Sequence, residues 1–206
     1  MNDFSVALGL VDYFNVLFTG LFYYVLLKNI KLDIDKFLYY IILIGAMMSV
    51  LFSFCIPTYK VILGMEHGEY TTPYFILFMT YLGFLIFGVG MFIAVFFRNK
   101  NKKFGILTGA ALQVYQSAVL FAMIGKILMY VCVIKMAIKR KNWLCLGLYI
   151  FSLALIIIMG FIAKSGTIPE AWAHWIVEFV NITCQVALFA GTVILFKKNK
   201  NMQPAE

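Results

Sequence analysis

Long apolar runs alternate along this chain with short clusters of lysine. Five runs stand out, over about 4–27, 37–57, 73–97, 143–164 and 170–196. Each holds about 20 or more residues, enough for a helix to cross a hydrocarbon core about 30 Å thick at 1.5 Å per residue. Lys28, Arg98, Lys164 and Lys197 stand at their ends, and Trp143, Trp172 and Trp175 fall where an interfacial aromatic belt belongs. The opening residues Met1–Ser5 have no basic stretch, and no small-residue cleavage site follows them. The first run therefore reads as a retained span rather than a removable signal.

The segment 104–138 decides the number of crossings. As one straight helix it would be about 52 Å long, and as two full spans it is about 5 residues short. Lysine and arginine, which gather on the cytoplasmic side, separate the two readings. With one crossing here there are six helices, and the basic residues divide eight to eight. A hairpin turning near Gly125-Lys126 gives seven helices. It puts 14 basic residues on one side and leaves Lys60, Lys126 and Lys164 on the other. Snorkelling of Lys102, Lys103, Lys139 and Lys141 makes up the missing length.

The pattern thus predicts an all-α integral membrane protein, a seven-transmembrane-helix bundle with the N-terminus outside and the C-terminus cytoplasmic. A six-helix bundle is the alternative. Residues 1–206 form a single transmembrane domain with spans at about 4–27, 37–57, 73–97, 102–123, 126–141, 143–164 and 170–196, and no soluble domain. The loop with most body, Thr58 to Thr72, carries Lys60, Glu66, His67 and Glu69 and is expected outside.

Composition agrees. The chain is 64% hydrophobic and 13% charged, against about 25% charged in soluble domains. The net charge of +8 does not point to nucleic acid, because the basic residues cluster at span ends. They suit anionic lipids at the cytoplasmic face. Small size suggests a prokaryotic plasma (inner) membrane. Cys55, Cys132, Cys145 and Cys184 form no C-x-x-C pair and all lie in apolar stretches, so they read as small buried hydrophobes.

Ionisable groups inside hydrocarbon are costly and mark candidate sites. Asp12 in the first span, and His174 and Glu178 in the last, are such groups. Lys126 joins them only if it is not at an outer turn. In the last span His174, Glu178, Asn181 and Gln185 fall within an arc of about 60°. In the first, Ser5, Asp12, Asn15 and Thr19 fall within about 80°. Seven helices make these two spans parallel. Asp12 then lies about 12 Å below the outer boundary, and Glu178 about 9 Å below Trp172. Two carboxylate-plus-amide pairs thus share a depth. Ser49 and Ser53 before Pro57, and Gln113, Gln116 and Ser117, offer more polar groups to the same interior. Gly83, Gly88 and Gly90 let backbones approach closely. The plainer role for the amides is interhelical hydrogen bonding, worth about 0.6 kcal/mol each.

Several chemistries lack their residues. Retinal would need a lysine in the last span, and Ala171 to Phe196 contains none. A di-haem cytochrome needs more ligands than His67 and His174 supply. G-x-S-x-G, P-loop and dinucleotide fingerprints are absent, and Asn181-Ile-Thr183 lies inside a span, where it is no glycosylation site. The polar places in the first span, Ser49 and Ser53 in the second and His174-x-x-x-Glu178 in the last resemble those of seven-helix lipid hydrolases of the alkaline ceramidase and adiponectin receptor type. The resemblance covers helix count and a few positions. It departs at the metal, because such a site wants three histidines and the second span has none.

The leading expectation is a polytopic membrane protein with a polar intramembrane site for an ion, proton or small ligand, as in a small transporter, channel or receptor. Its candidate residues are Asp12, Asn15, His174, Glu178, Asn181, Gln185, Gln113 and Gln116, with no cofactor and no resident metal. One alternative is a non-catalytic accessory or scaffolding subunit, associated with partner subunits or with copies of itself. The other is a metal-dependent intramembrane lipid hydrolase, with His67 or Glu69 folding in beside His174 and Glu178.

Overall fold

The structure is a computed structural model. It describes residues 6–30, 34–65, 72–97, 118–164 and 171–197, without the side chains of 118–119, 160–164 and 171–174. Among the described residues there are six helices and no strand: α1 Val6–Ile30, α2 Lys36–Met65, α3 Tyr74–Phe96, α4 Ala118–Lys139, α5 Trp143–Lys164 and α6 Ala171–Lys197. Five of them are long and apolar enough to cross a bilayer, and α5 is apolar as well. Helices are what such sequences must form, because lipid offers no partner to a free backbone N–H or C=O.

The helices close into a ring. α1 packs between α2 and α6, α3 between α2 and α4, and α5 between α4 and α6. Outward faces are apolar. Phe37, Tyr40, Ile44, Met47, Leu51 and Phe54 follow one another down α2 at three- and four-residue spacing, each more than half exposed. A surface of that kind suits lipid or another apolar partner. Inside, Leu26, Ile42, Met91, Val133 and Leu195 are fully buried.

Glycine sets the closest contacts. A Cβ on Gly45 would lie 2.5 Å from the Phe87 nitrogen, and one on Gly90 would lie 2.6 Å from Ile42 Cγ1. A Cβ on Gly83 would run into the Ser49 backbone, and one on Gly88 into that of Gly125. The expected close approach at Gly83, Gly88 and Gly90 is therefore present, and α2, α3 and α4 touch nearly backbone to backbone.

The direction of each helix follows from its contacts. Gly9 faces Val61 and Gly20 faces Val50, so α1 and α2 are antiparallel. Gly45 faces Phe87 and Gly83 faces Ser49, so α2 and α3 are antiparallel. Phe78 meets Phe121, Phe84 lies under Lys126 and Phe96 lies under Lys135, so α3 and α4 are parallel. Asn15 bonds to Glu178, while Thr19 and Gln185 line one cavity deeper in, so α1 and α6 are parallel, as the seven-helix reading requires.

Two expectations are corrected. No turn forms at Gly125-Lys126, because α4 runs unbroken from Ala118 to Lys139. Gly125 is needed for packing instead: its missing Cβ admits the Phe84 carbonyl. The spans proposed at about 102–123 and 126–141 are thus wrongly divided, and residues 98–117 lie outside the described residues. The second span does not stop at Pro57. α2 continues two turns further to Met65, with Pro57 buried inside it, so Lys60 belongs to a helix and not to an outer loop. Proline is tolerated in a membrane helix where neighbours compensate the lost bond.

Candidate functional site

Three helices bring their ionisable groups to one point. Asp12 and Asn15 come from α1, Lys60 from α2 and Glu178 from α6. The Lys60 ammonium donates to Asp12 Oδ2 at 2.7 Å and to Glu178 Oε1 at 3.1 Å. Asn15 Nδ2 donates to Asp12 Oδ1 at 3.1 Å and to Glu178 Oε2 at 2.9 Å. Both carboxylates are thereby bridged twice, once by an ammonium and once by an amide. The result is a closed ring of four hydrogen bonds. The three charged side chains are only 9–14% exposed.

Local packing explains how Lys60 reaches this point. Gly9 lets α2 lie against α1: a Cβ there would sit 2.8 Å from Val61 Cγ2 and 3.3 Å from Lys60 Cβ. One turn away, the Tyr13 hydroxyl donates to Thr58 Oγ1 at 2.8 Å, and Thr58 passes its own proton to the Phe54 carbonyl. The Tyr13 ring rests on Phe54, with centroids 4.9 Å apart. These contacts fix the register of α1 against α2 and so the place of the lysine.

Charge makes the ring unusual. Among the described residues, two carboxylates and one ammonium, all ionised, leave a surplus of one negative charge. Away from water such a surplus is expensive. It can be met by a proton on one carboxylate or by a monovalent cation. Asn15 Oδ1 is also buried and has no partner, which leaves one more acceptor at the same spot.

Further in, the polar column continues. Asn181 stands half-buried on α6 between Glu178 and Gln185. Gln185 lines a small cavity with Thr19, Tyr23, Lys126 and Tyr130. Beside it the Tyr130 hydroxyl donates to Ser152 Oγ at 2.5 Å, and Ser152 donates to the Cys184 carbonyl at 2.9 Å. Nearer the other end the column closes, with Leu26, Met91, Val133 and Leu195 at 0–1% exposure.

Of the sequence candidates, the structure brings Asp12, Asn15 and Glu178 together. Gln185 lies deeper, at the cavity, with Asn181 between. The side chain of His174 and all of Gln113 and Gln116 lie outside the described residues, as do His67 and Glu69. Among the described residues no three His, Cys, Asp or Glu side chains form a metal-ligand set.

Two lysines were misplaced by sequence reasoning. Lys60 is followed by the apolar stretch Val61–Met65, and that continuation was the signal of a longer helix. Lys126 interrupts seventeen otherwise uncharged residues, 118–134, in which Gly-Lys lacks the Asn, Asp, Ser or Pro that usually marks a turn. Compared with known protein families, curated proteins and solved structures, this chain matches none.

Proposed function

We propose that this protein is a small transporter, channel or receptor that takes up a monovalent cation or a proton at the ring formed by Asp12, Asn15, Lys60 and Glu178. The observation that carries the reading is the pair of carboxylates from α1 and α6 sharing a single ammonium within 3.1 Å. A purely structural ion pair needs one carboxylate per lysine. The second one is a standing demand for a positive guest, and the guest competes with Lys60 for the same oxygens.

The bundle has seven crossings in this reading. α3 and α4 are parallel, and so are α1 and α6. That supports an odd number of crossings with the extra one ahead of Ala118. The end where α1, α3, α4 and α6 finish then carries the same 14 basic residues and faces the cytoplasm and its anionic lipids. The ring lies toward the outer face of a plasma membrane.

The test is thermal unfolding of the protein in nanodiscs of uncharged lipid. The probes are sodium, potassium and methylammonium, against choline at equal ionic strength, each between pH 5 and 8. Wild type is expected to gain stability from a small cation or from protons, saturably. Glu178→Gln removes the surplus charge and is expected to abolish that gain while remaining folded in choline. An unchanged response in Glu178→Gln, or no response in wild type, would sink the proposal.

A further inference from the structure

We propose that the cavity around Lys126 is a second site, which binds a compact monoanion: a free halide or the carboxylate end of a small organic acid. Lys126 lies eight residues into α4, about 12 Å along the helix, and points into the bundle beside Thr19, Tyr23, Phe84, Tyr130 and Gln185. Its ammonium sits 4.9 Å from the centroid of the Phe84 ring. Among the described residues that line the cavity there is no carboxylate. An ammonium so placed needs a counter-charge or must shed its proton.

The carboxylate ring is not that counter-charge. Glu178 and Gln185 are seven residues apart on α6, so the ring lies about 10 Å above the cavity. Its four hydrogen bonds close on themselves. The cation–π contact with Phe84 stabilises the ammonium without neutralising it.

The neutral groups around Lys126 suit an anion. Thr19 spends its proton on the Asn15 carbonyl, and Tyr130 spends its own on Ser152. Two polar groups are left over. The Tyr23 hydroxyl is buried, at 3% exposure, faces the Ser49 hydroxyl, and makes no hydrogen bond within 3.5 Å among the described residues. Gln185 Oε1 is likewise buried and without a partner. A half-turn about the last side-chain bond of Gln185 exchanges that oxygen for two N–H donors. Ammonium, phenol and amide thus line one cavity as three potential donors.

Space restricts the guest. The open volume at the centre of the cavity is about 10 Å³, room for a body of water size. Chloride, somewhat larger than water, and a carboxylate group both enter only with small movements of Lys126 and Tyr23. A bulky polyhydroxy acid such as gluconate does not.

The experiment uses the full chain in nanodiscs of uncharged lipid and follows thermal unfolding at constant ionic strength. Sodium gluconate is replaced stepwise by sodium chloride, bromide, formate or acetate. Wild type should show a saturable rise in Tm with at least one of them, and the halide and carboxylate arms tell the two guests apart. Lys126→Met should weaken the response at least about tenfold, whereas Tyr23→Phe, which loses one donor, should weaken it by about threefold to tenfold. Lys126→Arg should retain it. Since sodium is present throughout, failure of the cation reading at the carboxylate ring leaves these outcomes untouched. A wild-type Tm indifferent to every anion would mean a neutral lysine or a cavity that holds only water, and would overturn the proposal. So would a full response in Lys126→Met. If Lys126→Met does not fold, an undiminished response in Tyr23→Phe overturns the three-donor site.

Discussion

Replacing Lys60 by methionine tests whether the ring is one electrostatic unit. The ammonium lies 2.7 Å from Asp12 and 3.1 Å from Glu178 at side-chain exposures of 9–14%. At an effective dielectric constant of about 20, each contact is worth about 5 kcal/mol of gross attraction. Desolvating the ions offsets several kcal/mol per ion, so the net stabilisation of the intact ring is small. Its disruption is not small. Lys60→Met leaves two carboxylates facing each other with only Asn15 between them, and is expected to cost about 3–5 kcal/mol. Glu178→Gln leaves the Asp12–Lys60 pair whole and a neutral amide in place of the surplus charge, for a change within about 1 kcal/mol. The triple variant Lys60→Met, Asp12→Asn, Glu178→Gln removes every charge and should recover most of the loss. Reversible unfolding by SDS from mixed micelles measures all four proteins. Trp175, packed on Phe179 one residue from Glu178, is a built-in fluorescent reporter. A neutral Lys60→Met, or a triple variant as unstable as the single one, would refute the reasoning.

Gly125→Val should separate α3 from α4, since its Cβ would run into the Phe84 carbonyl. A loss of about 3 kcal/mol or failure to accumulate is expected. Gly147→Ala, where a Cβ meets nothing within 4 Å, should unfold like wild type in the same assay. Reporter fusions that end the chain at Phe97 and at Val119 should report opposite sides of the membrane. Two fusions on the same side would remove the crossing ahead of α4.

Hydrophobicity and charge made much of this fold legible. Five long apolar runs became five helices, and parallel first and last helices brought Asp12 and Asn15 to Glu178 as the stripes require. What failed was local. Lys126 was assigned to an outer turn, but the 14 basic residues on the other side are the same wherever the turn is placed, so charge could not locate it. Tertiary packing decides instead: Gly125 is the only residue small enough for the Phe84 carbonyl beside it, so the helix runs through. Lys60 was assigned to a loop because Pro57 reads as a stop. Periodicity along a single helix carries no sign that another helix will supply two carboxylates to a lysine beyond a proline. The salt bridge is a three-helix property, and only α1 and α6 announced their part of it.

The ring and the plug beyond it place a limit on how the site is used. Packing among apolar helices in lipid gains little from the hydrophobic effect, but wetting them loses it in full. Opening a path past the cavity would expose Leu26, Met91, Val133 and Leu195 to water, all now at 0–1% exposure. At about 1.5–3 kcal/mol per side chain, that is about 6–12 kcal/mol. The closed arrangement therefore outweighs a wetted one by at least about four powers of ten. A guest that prefers the open state only slightly cannot reverse that ratio. On the proposed reading, binding at the ring would be an equilibrium property of the closed bundle. Flux requires a conformation in which the plug residues find new apolar partners instead of water. Cation binding without counterflow in sealed vesicles is the behaviour of a receptor, and counterflow would mean that helices rock past one another to keep the plug dry.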